Sequence, residues 1–228
     1  IIDVRDPANG NLAASDYRVC MGDTYPTIKF TGTVGAPGFN FTYTKRTPGG
    51  TPTTHTVSSG ISNTVAINVP TTASDTIIFT LTGIADNSGL TCGASGSFDT
   101  LIIDPKPVSR ITAALNDVCI NSPDQIITFD ASGVAGVTPP VTFNYYTDIN
   151  SGGQTGPNSL LANAGPYTAT LTASAAALGT TEWINGISAS AFCSGGAGTG
   201  SARLTVHPLS TGTITLAGAD SICENTTE

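Results

Sequence analysis

The sequence predicts an all-β fold built from tandem antiparallel β-sandwich domains arranged end to end. Three observations predict it. Residues that favour strands dominate, the chain repeats itself after about 100 residues, and each copy breaks into about seven short runs bounded by turn residues. Thr, Val and Ile are stiff at χ1 and suit a pleated surface. Lys and Glu, the usual filling of helix surfaces, are scarce, and no dozen-residue stretch keeps an apolar residue every three or four positions. The run 173–178 is the one helix-like segment, and Gly179 follows it at once, so one turn is the most it predicts.

The repeat is visible directly. Val19-Cys20-Met21-Gly22 is answered by Val118-Cys119-Ile120-Asn121 and again by Ile222-Cys223-Glu224-Asn225. Each of the first two copies closes with a strand-like run into proline, Leu101-Ile102-Ile103-Asp104-Pro105 and Leu204-Thr205-Val206-His207-Pro208. Cys20 to Cys119 is 99 positions, Cys92 to Cys193 is 101 and Pro105 to Pro208 is 103. A near-constant offset under a changing sequence is the mark of duplicated domains. The division predicted is 1–106, 107–208 and a truncated third copy over 209–228. Pro105-Lys106-Pro107 reads as a short, semi-rigid linker.

Within the first copy the strand-like runs are 12–18, 27–33, 39–44, 54–58, 64–69, 76–84 and 97–103. In Phe39-Asn40-Phe41-Thr42-Tyr43-Thr44 one face is aromatic and the other polar, the period-2 pattern of a half-buried strand. Seven such runs in roughly 100 residues is the immunoglobulin-like sandwich pattern.

Composition excludes several functions. Charged residues are 11% of the chain, against about 25% in an ordinary domain, while hydrophobics are 39%. The chain therefore folds, and Thr, Ser and Asn make its surface polar. A net charge of −8 with eight scattered basic residues argues against nucleic acid, which rewards clustered Lys and Arg. No run of 18 apolar residues is present, so no membrane insertion is expected. The abrupt start at Ile1 and the stop at Glu228 inside a repeating pattern lead us to expect a piece of a longer protein.

Five cysteines accompany two copies and a stub. Cys20 and Cys92 recur in register as Cys119 and Cys193, which predicts one disulfide inside each domain, Cys20–Cys92 and Cys119–Cys193, with Cys223 left unpaired. Each would raise the free energy of the unfolded chain by about 4 kcal/mol in the chain-entropy treatment. Disulfides place the protein in an oxidising, extracellular compartment. Neither pair has the close spacing of a zinc site.

The phrase running from Val19-Cys20-Met21-Gly22-Asp23-Thr24-Tyr25-Pro26 through Thr27-Ile28-Lys29-Phe30-Thr31-Gly32-Thr33, with the later runs at 39–44 and 65–72, resembles the PKD-like repeats of giant Bacteroidetes cell-surface proteins. Among those proteins are the mobile adhesins of gliding motility. The resemblance covers essentially the whole chain, more loosely in the second copy. It implies export by the type IX secretion system, display on the cell surface, and contact with a substratum or surface polysaccharide through the parent protein, with neighbouring repeats of the same chain as immediate partners. It also implies possible O-glycosylation at Asp-Ser/Thr-aliphatic triplets, here at Thr76, Thr100 and Ser221.

Catalysis is not expected. The two histidines, His55 and His207, read as surface residues. A glycosidase needs a carboxylate pair, and Glu182 lies in a strand-like run beside the core candidate Trp183. No cofactor is expected. Calcium is the one metal the sequence leaves open, through Asp23, Asp75, Asp86 and Asp99, although these form no close-spaced cluster. Two functions remain in view. One is a disulfide-stapled structural spacer of an adhesin. The other is a carbohydrate-binding sandwich using Tyr17, Tyr25, Tyr43, Tyr145, Tyr146, Tyr167 or Trp183. The register of these rings suits the core and favours the spacer.

Overall fold

The computed structural model describes residues 6–88, 91–93, 96–113, 117–132, 135–163, 167–196 and 198–212. Among them every regular element is a strand. The first copy contains β1 (Asn9–Ala14), β2 (Arg18–Cys20), β3 (Thr27–Val34), β4 (Asn40–Arg46), β5 (Thr53–Ser58), β6 (Thr64–Asn68), β7 (Asp75–Ala85), β8 (Thr91–Gly93) and β9 (Phe98–Asp104). They form two sheets, β1-β3-β6 and β2-β9-β7-β4-β5, with β8 added beside β7.

The second copy repeats this element by element: β10 (Arg110–Thr112), β11 (Val118–Cys119), β12 (Gln125–Asp130), β13 (Val141–Ile149), β14 (Gln154–Ala162), β15 (Thr168–Ala173), β16 (Gly179–Ala189), β17 (Ser194–Gly196) and β18 (Ser201–His207). Its sheets are β10-β12-β15 and β11-β18-β16-β13-β14, with β17 beside β16. Two separate cores result. One gathers Ala8 to Ile103 and the other Ile111 to Val206.

Alternation along the strands builds each core. Phe41 and Tyr43 point inward from β4, and Phe30 points inward from β3 in the facing sheet. Their rings meet at centroid distances of 5.5 and 4.9 Å. Phe129, Phe143 and Tyr145 repeat the trio at 6.0 and 5.2 Å. Tilted rings at these separations gain the quadrupole term on top of area burial. Phe79 of the first core has Trp183 as its counterpart, and both are buried.

The structure corrects two local expectations. The run 12–18 is not one strand. β1 pairs antiparallel with β3 in the small sheet, whereas β2 pairs parallel with β9 in the large one. Ser15 to Tyr17 carry the chain across the gap, and the Ser15 hydroxyl accepts the Thr27 amide there. The run 174–178 forms a bend instead of a helical turn, entering β16 at Gly179, whose φ of +127° no helix accommodates.

One ion pair ties β10 into its sheet. Arg110 and Asp130 face each other directly across β10 and β12. Arg110 donates to the Asp130 carboxylate at 2.9 and 3.1 Å. The Ser132 hydrogen bonds, and then Arg110, hold the Asp130 carboxyl below the usual aspartate range. A depressed carboxyl contributes stability above its unfolded value and loses it as pH falls through its folded value. We therefore expect stability from Asp130 at neutral pH that begins to fall near the ordinary aspartate value, about pH 4, and is lost as pH falls through the lower folded value. Urea unfolding of Asp130→Asn, followed through the single Trp183, should show a loss of about 1 kcal/mol at pH 7 that shrinks as pH is lowered below about 4. An equal loss at neutral and acidic pH would refute the assignment.

Candidate functional site: the interdomain junction

The residues with unusual chemistry converge where the two sandwiches meet. β9 ends at Asp104, and Pro105 to Pro107 lead into the second sandwich. Because β2 runs parallel to β9, Cys20 lies opposite Asp104 at the same end of the first sandwich. The second sandwich presents the loops around Thr138 and around Phe192 and Cys193 to this end.

A disulfide and two contacts of Arg18 cross the junction, and a carboxylate of the first sandwich holds Arg18 in place. Cys20 is bonded to Cys193, with the two Cα atoms 5.6 Å apart. Arg18 forks onto the Asp104 carboxylate through Nε and a terminal nitrogen, the latter at 2.8 Å. The same terminal nitrogen donates to the Thr138 hydroxyl at 2.9 Å, across the junction. The guanidinium also stacks 3.5 Å above the Phe192 ring. A planar cation that is forked onto a carboxylate and stacked on an aromatic ring uses every property that separates Arg from Lys. Both partners are largely buried, at 19% and 7% side-chain exposure. The hydrogen bond to Asp104 pushes the Arg18 pKa above its ordinary value, against the opposing effect of burial. Lys106 of the linker adds a bond to Asp23 at 2.8 Å.

The second sandwich is shaped to receive the linker. A Cβ on Gly196 would sit 1.4 Å from the Pro107 carbonyl oxygen, so only glycine permits that approach. Ser109 is fully buried and bonds Asn185 and Ser188, which fixes the start of the domain against β16.

The disulfide overturns the expected pairing. Cys20–Cys92 and Cys119–Cys193 each require one of the two cysteines already joined to each other. The reason is topological. Cys92 lies in β8, before β9 begins, while Cys20 sits beside the end of β9. The seven residues of β9 separate these two levels, which is roughly 20 Å at about 3.3 Å per residue. A disulfide spans less than about 7 Å between Cα atoms. Cys119 is likewise beside the end of β18, opposite His207, whereas Cys193 precedes that strand. Cys119 is free and exposed, and Cys223 lies outside the described residues.

The remaining site candidates fall elsewhere. Asp75 accepts the Thr76 amide, Asp86 accepts the Ala36 and Ser88 amides, and Asp99 accepts the Ala14 and Thr100 amides. With Asp23 bound to Lys106, the four calcium candidates are dispersed and each serves a local hydrogen bond. Among the described residues no group of three His, Cys, Asp or Glu is placed to hold a metal. Thr76 and Thr100 lie half-buried on adjacent strands of the large sheet, and Ser221 is outside the described residues. His55 stacks on Tyr43 at 5.4 Å, and His207 contacts Asp117 at 3.2 Å. Glu182 faces Asp148 on one side and Arg203 on the other, across the large sheet of the second sandwich. Of the rings considered for sugar, Tyr43, Tyr145 and Trp183 are core, and Tyr167 is half-buried with its hydroxyl donating to the Val137 carbonyl. Tyr17 and Tyr25 are exposed. No helix among the described residues is long and apolar enough to cross a membrane.

Neither a family model nor a curated protein matches this sequence. Similar solved structures include the CBD12 segment of CALX1.2, 7% identical with a TM-score of 0.34 over 79% of this chain and 81% of that one. The calcium binding domain CBD12 of CALX1.1 is 8% identical with a TM-score of 0.34, over 86% and 100% of the two chains. A two-domain fibronectin type-III segment of chicken tenascin is 12% identical with a TM-score of 0.34, over 88% and 99%. Similarity at that level carries no functional argument, and the sandwich assignment rests on the sheets themselves.

Two tests address the junction. Cys20 is adjacent to Asp104, so with the first sandwich folded the bond closes a loop of roughly 90 residues through the second. Cys20→Ser should therefore destabilise the second sandwich by about 4 kcal/mol, read as an earlier urea midpoint for Trp183 fluorescence. A midpoint within error of the parent would count against the cross-link. In that Cys20→Ser background, the further change Arg18→Met should release the docked pair. Small-angle scattering should then show a broader distribution of interdomain distances, and an unchanged distribution would show that Arg18 does not hold the junction.

Proposed function

We propose that the chain is a stretch of extracellular spacer in a large cell-surface adhesin, of the mobile kind used in gliding motility. In this reading the sandwiches supply length and mechanical security, and binding resides elsewhere in the parent protein. The observation that carries the reading is the covalent bond between Cys20 of one sandwich and Cys193 of the next. A binding module gains nothing from being locked to its neighbour, whereas a load-bearing rod does.

The force path shows why. Tension along the backbone reaches Cys20 and crosses the disulfide to Cys193, leaving the intervening chain out of the path. The sequence separation is 173 residues. At about 3.4 Å per extended residue, roughly 600 Å of chain is kept from paying out under load. The resemblance to Bacteroidetes surface repeats, the hydroxyl-rich surface and the disulfide's need for an oxidising compartment support the same reading.

Single-molecule pulling of the chain held by its two ends tests it. Full extension should be roughly 600 Å longer after reduction than before, and equal lengths would defeat the spacer reading. The alternative, a carbohydrate-binding sandwich, predicts saturable binding of a multivalent display to one sugar class on a glycan array. If such binding appeared and vanished with Tyr25→Ala, the sugar-binding reading would replace ours.

A further inference from the structure

We propose that the Cys20–Cys193 bond is one instance of a staple repeated at every junction, and that Cys119 is the half of the next one. Its partner is the loop cysteine, equivalent to Cys193, of the sandwich that follows. The inference rests on reading the chain as a stretch of a repeat array, but a thiol map is blind to sugar binding and to load, so either idea can fail alone.

Cys119 is not singled out merely for being a free thiol. Its counterpart in the first copy is bonded in this same structure, and the backbone around the two is matched bond for bond. Met21 donates to the Asp104 carbonyl at 2.8 Å, and Ile120 donates to the His207 carbonyl at 2.8 Å. Gly22 donates to the Thr71 carbonyl at 2.8 Å, and Asn121 to the Ala175 carbonyl at 3.0 Å. Asp23 closes a turn on the Cys20 carbonyl at 3.1 Å, and Ser122 closes the same turn on Cys119 at 3.1 Å. The turn needs a positive φ, +79° at Gly22 and +64° at Asn121, and Asn is among the few residues that tolerate it. Cys119 is therefore carried on the same turn, beside the last strand, at the same end of its sandwich as Cys20.

The contact that opens the receiving loop also recurs. In the second sandwich Ala191 donates to the Thr138 carbonyl at 3.2 Å beside Cys193. In the first sandwich Asn87 donates to the Ala36 carbonyl at 3.5 Å, the same contact one repeat earlier. The Ile222-Cys223 motif shows that the repeat continues past Pro208. At the first junction Arg18 is held by Asp104 and reaches across to Thr138 and Phe192, and the positions corresponding to Arg18 and Asp104 in the second copy hold Asp117 and His207. The cysteine is thus retained at a position where the charged neighbours differ, Asp117 and His207 standing in place of Arg18 and Asp104.

Chemically the step is thiol oxidation by exchange. A small disulfide such as oxidised glutathione first forms a mixed disulfide with one cysteine. The thiolate of the other attacks that sulfur and forms the new S–S bond. The two protein thiols lose two electrons and two protons in total, and the reagent leaves as two thiols.

The test extends the chain by one domain. Residues 209–228 are replaced with a second copy of residues 107–208, and the oxidised protein is alkylated and mapped without reduction. We expect Cys20 linked to Cys193, and Cys119 linked to the added copy's loop cysteine, with alkylation of Cys119 falling at least tenfold relative to the 228-residue chain. Full alkylation of Cys119 beside an intact Cys20–Cys193 bond would overturn the proposal, as would a Cys119–Cys193 link. Should the extended chain fail to form Cys20–Cys193, the same extension carrying Cys92→Ser decides: a Cys119 bond to the added copy's loop cysteine supports the staple, and a fully alkylated Cys119 ends the idea.

Discussion

The parallel pairing of β2 with β9 determines much of what this chain can do. An antiparallel sandwich returns its strands to alternate ends, so a cysteine on an ordinary first strand would travel away from the exit of its domain. Here the first strand divides, and its second half joins the large sheet in the same direction as the last strand. Cys20 and Arg18 are thereby delivered to the end where the chain leaves, within reach of whatever domain comes next. The second copy makes the same division and the same parallel pairing. The junction is a consequence of strand direction, and both sandwich cores could be repacked without disturbing it.

Two kinds of bond then share the junction unequally. The Arg18 fork on Asp104 is largely buried, and the desolvation of both charges offsets much of their attraction. What the clamp supplies is orientation: the Thr138 hydroxyl and the Phe192 ring fix the guanidinium plane, and with it the angle between the sandwiches. The disulfide supplies the free energy, and it does so by restricting the unfolded second domain to a closed loop. Removing either leaves the other with a different task.

Much of the fold was legible in the sequence. Thr-rich alternation in Phe39 to Thr44 and the Gly and Pro punctuation mark strands that the structure repeats; of the rings expected in the core, Tyr43, Tyr145 and Trp183 are buried, whereas Tyr17 and Tyr25 are exposed because they lie outside the alternating strands. The short strands β8 and β17 were not legible, because three residues carry no periodicity. The division of the first strand was hidden because Ser15, Asp16 and Tyr17 are compatible with a strand, and only pairing to a different sheet reveals the crossing. The disulfides were misread for a more instructive reason. Recurrence at a near-constant offset pairs Cys20 with Cys119 and Cys92 with Cys193 in the sequence, but says nothing about which ends of the sandwich they occupy. Equivalence under a repeat is satisfied equally by a bond within each copy and by a bond from each copy to the next. Only the direction of β2 relative to β9 distinguishes them. The offset near 100 residues, taken as support for the first, serves the second as well.

Staples that link each domain to the next overlap, and overlap changes what an array does under tension. From Cys193 the shortest covalent route onward is the 30 positions to Cys223, the third copy's equivalent of Cys20. A staple from Cys223 would carry load past the whole of the following domain. Two domains would then contribute about 30 residues of extensible chain, roughly 100 Å at full extension, against several hundred for the same pair without bonds. Domains bonded internally would not behave this way, because each linker and each terminal strand would still pay out at every repeat. A head-to-tail pattern keeps its length even when individual sandwiches unfold, and lets them refold against neighbours that have not moved. For the spacer proposed above, which would hold a binding end at a fixed reach from a surface, that is the property the placement of Cys20 at the exit of its domain would provide.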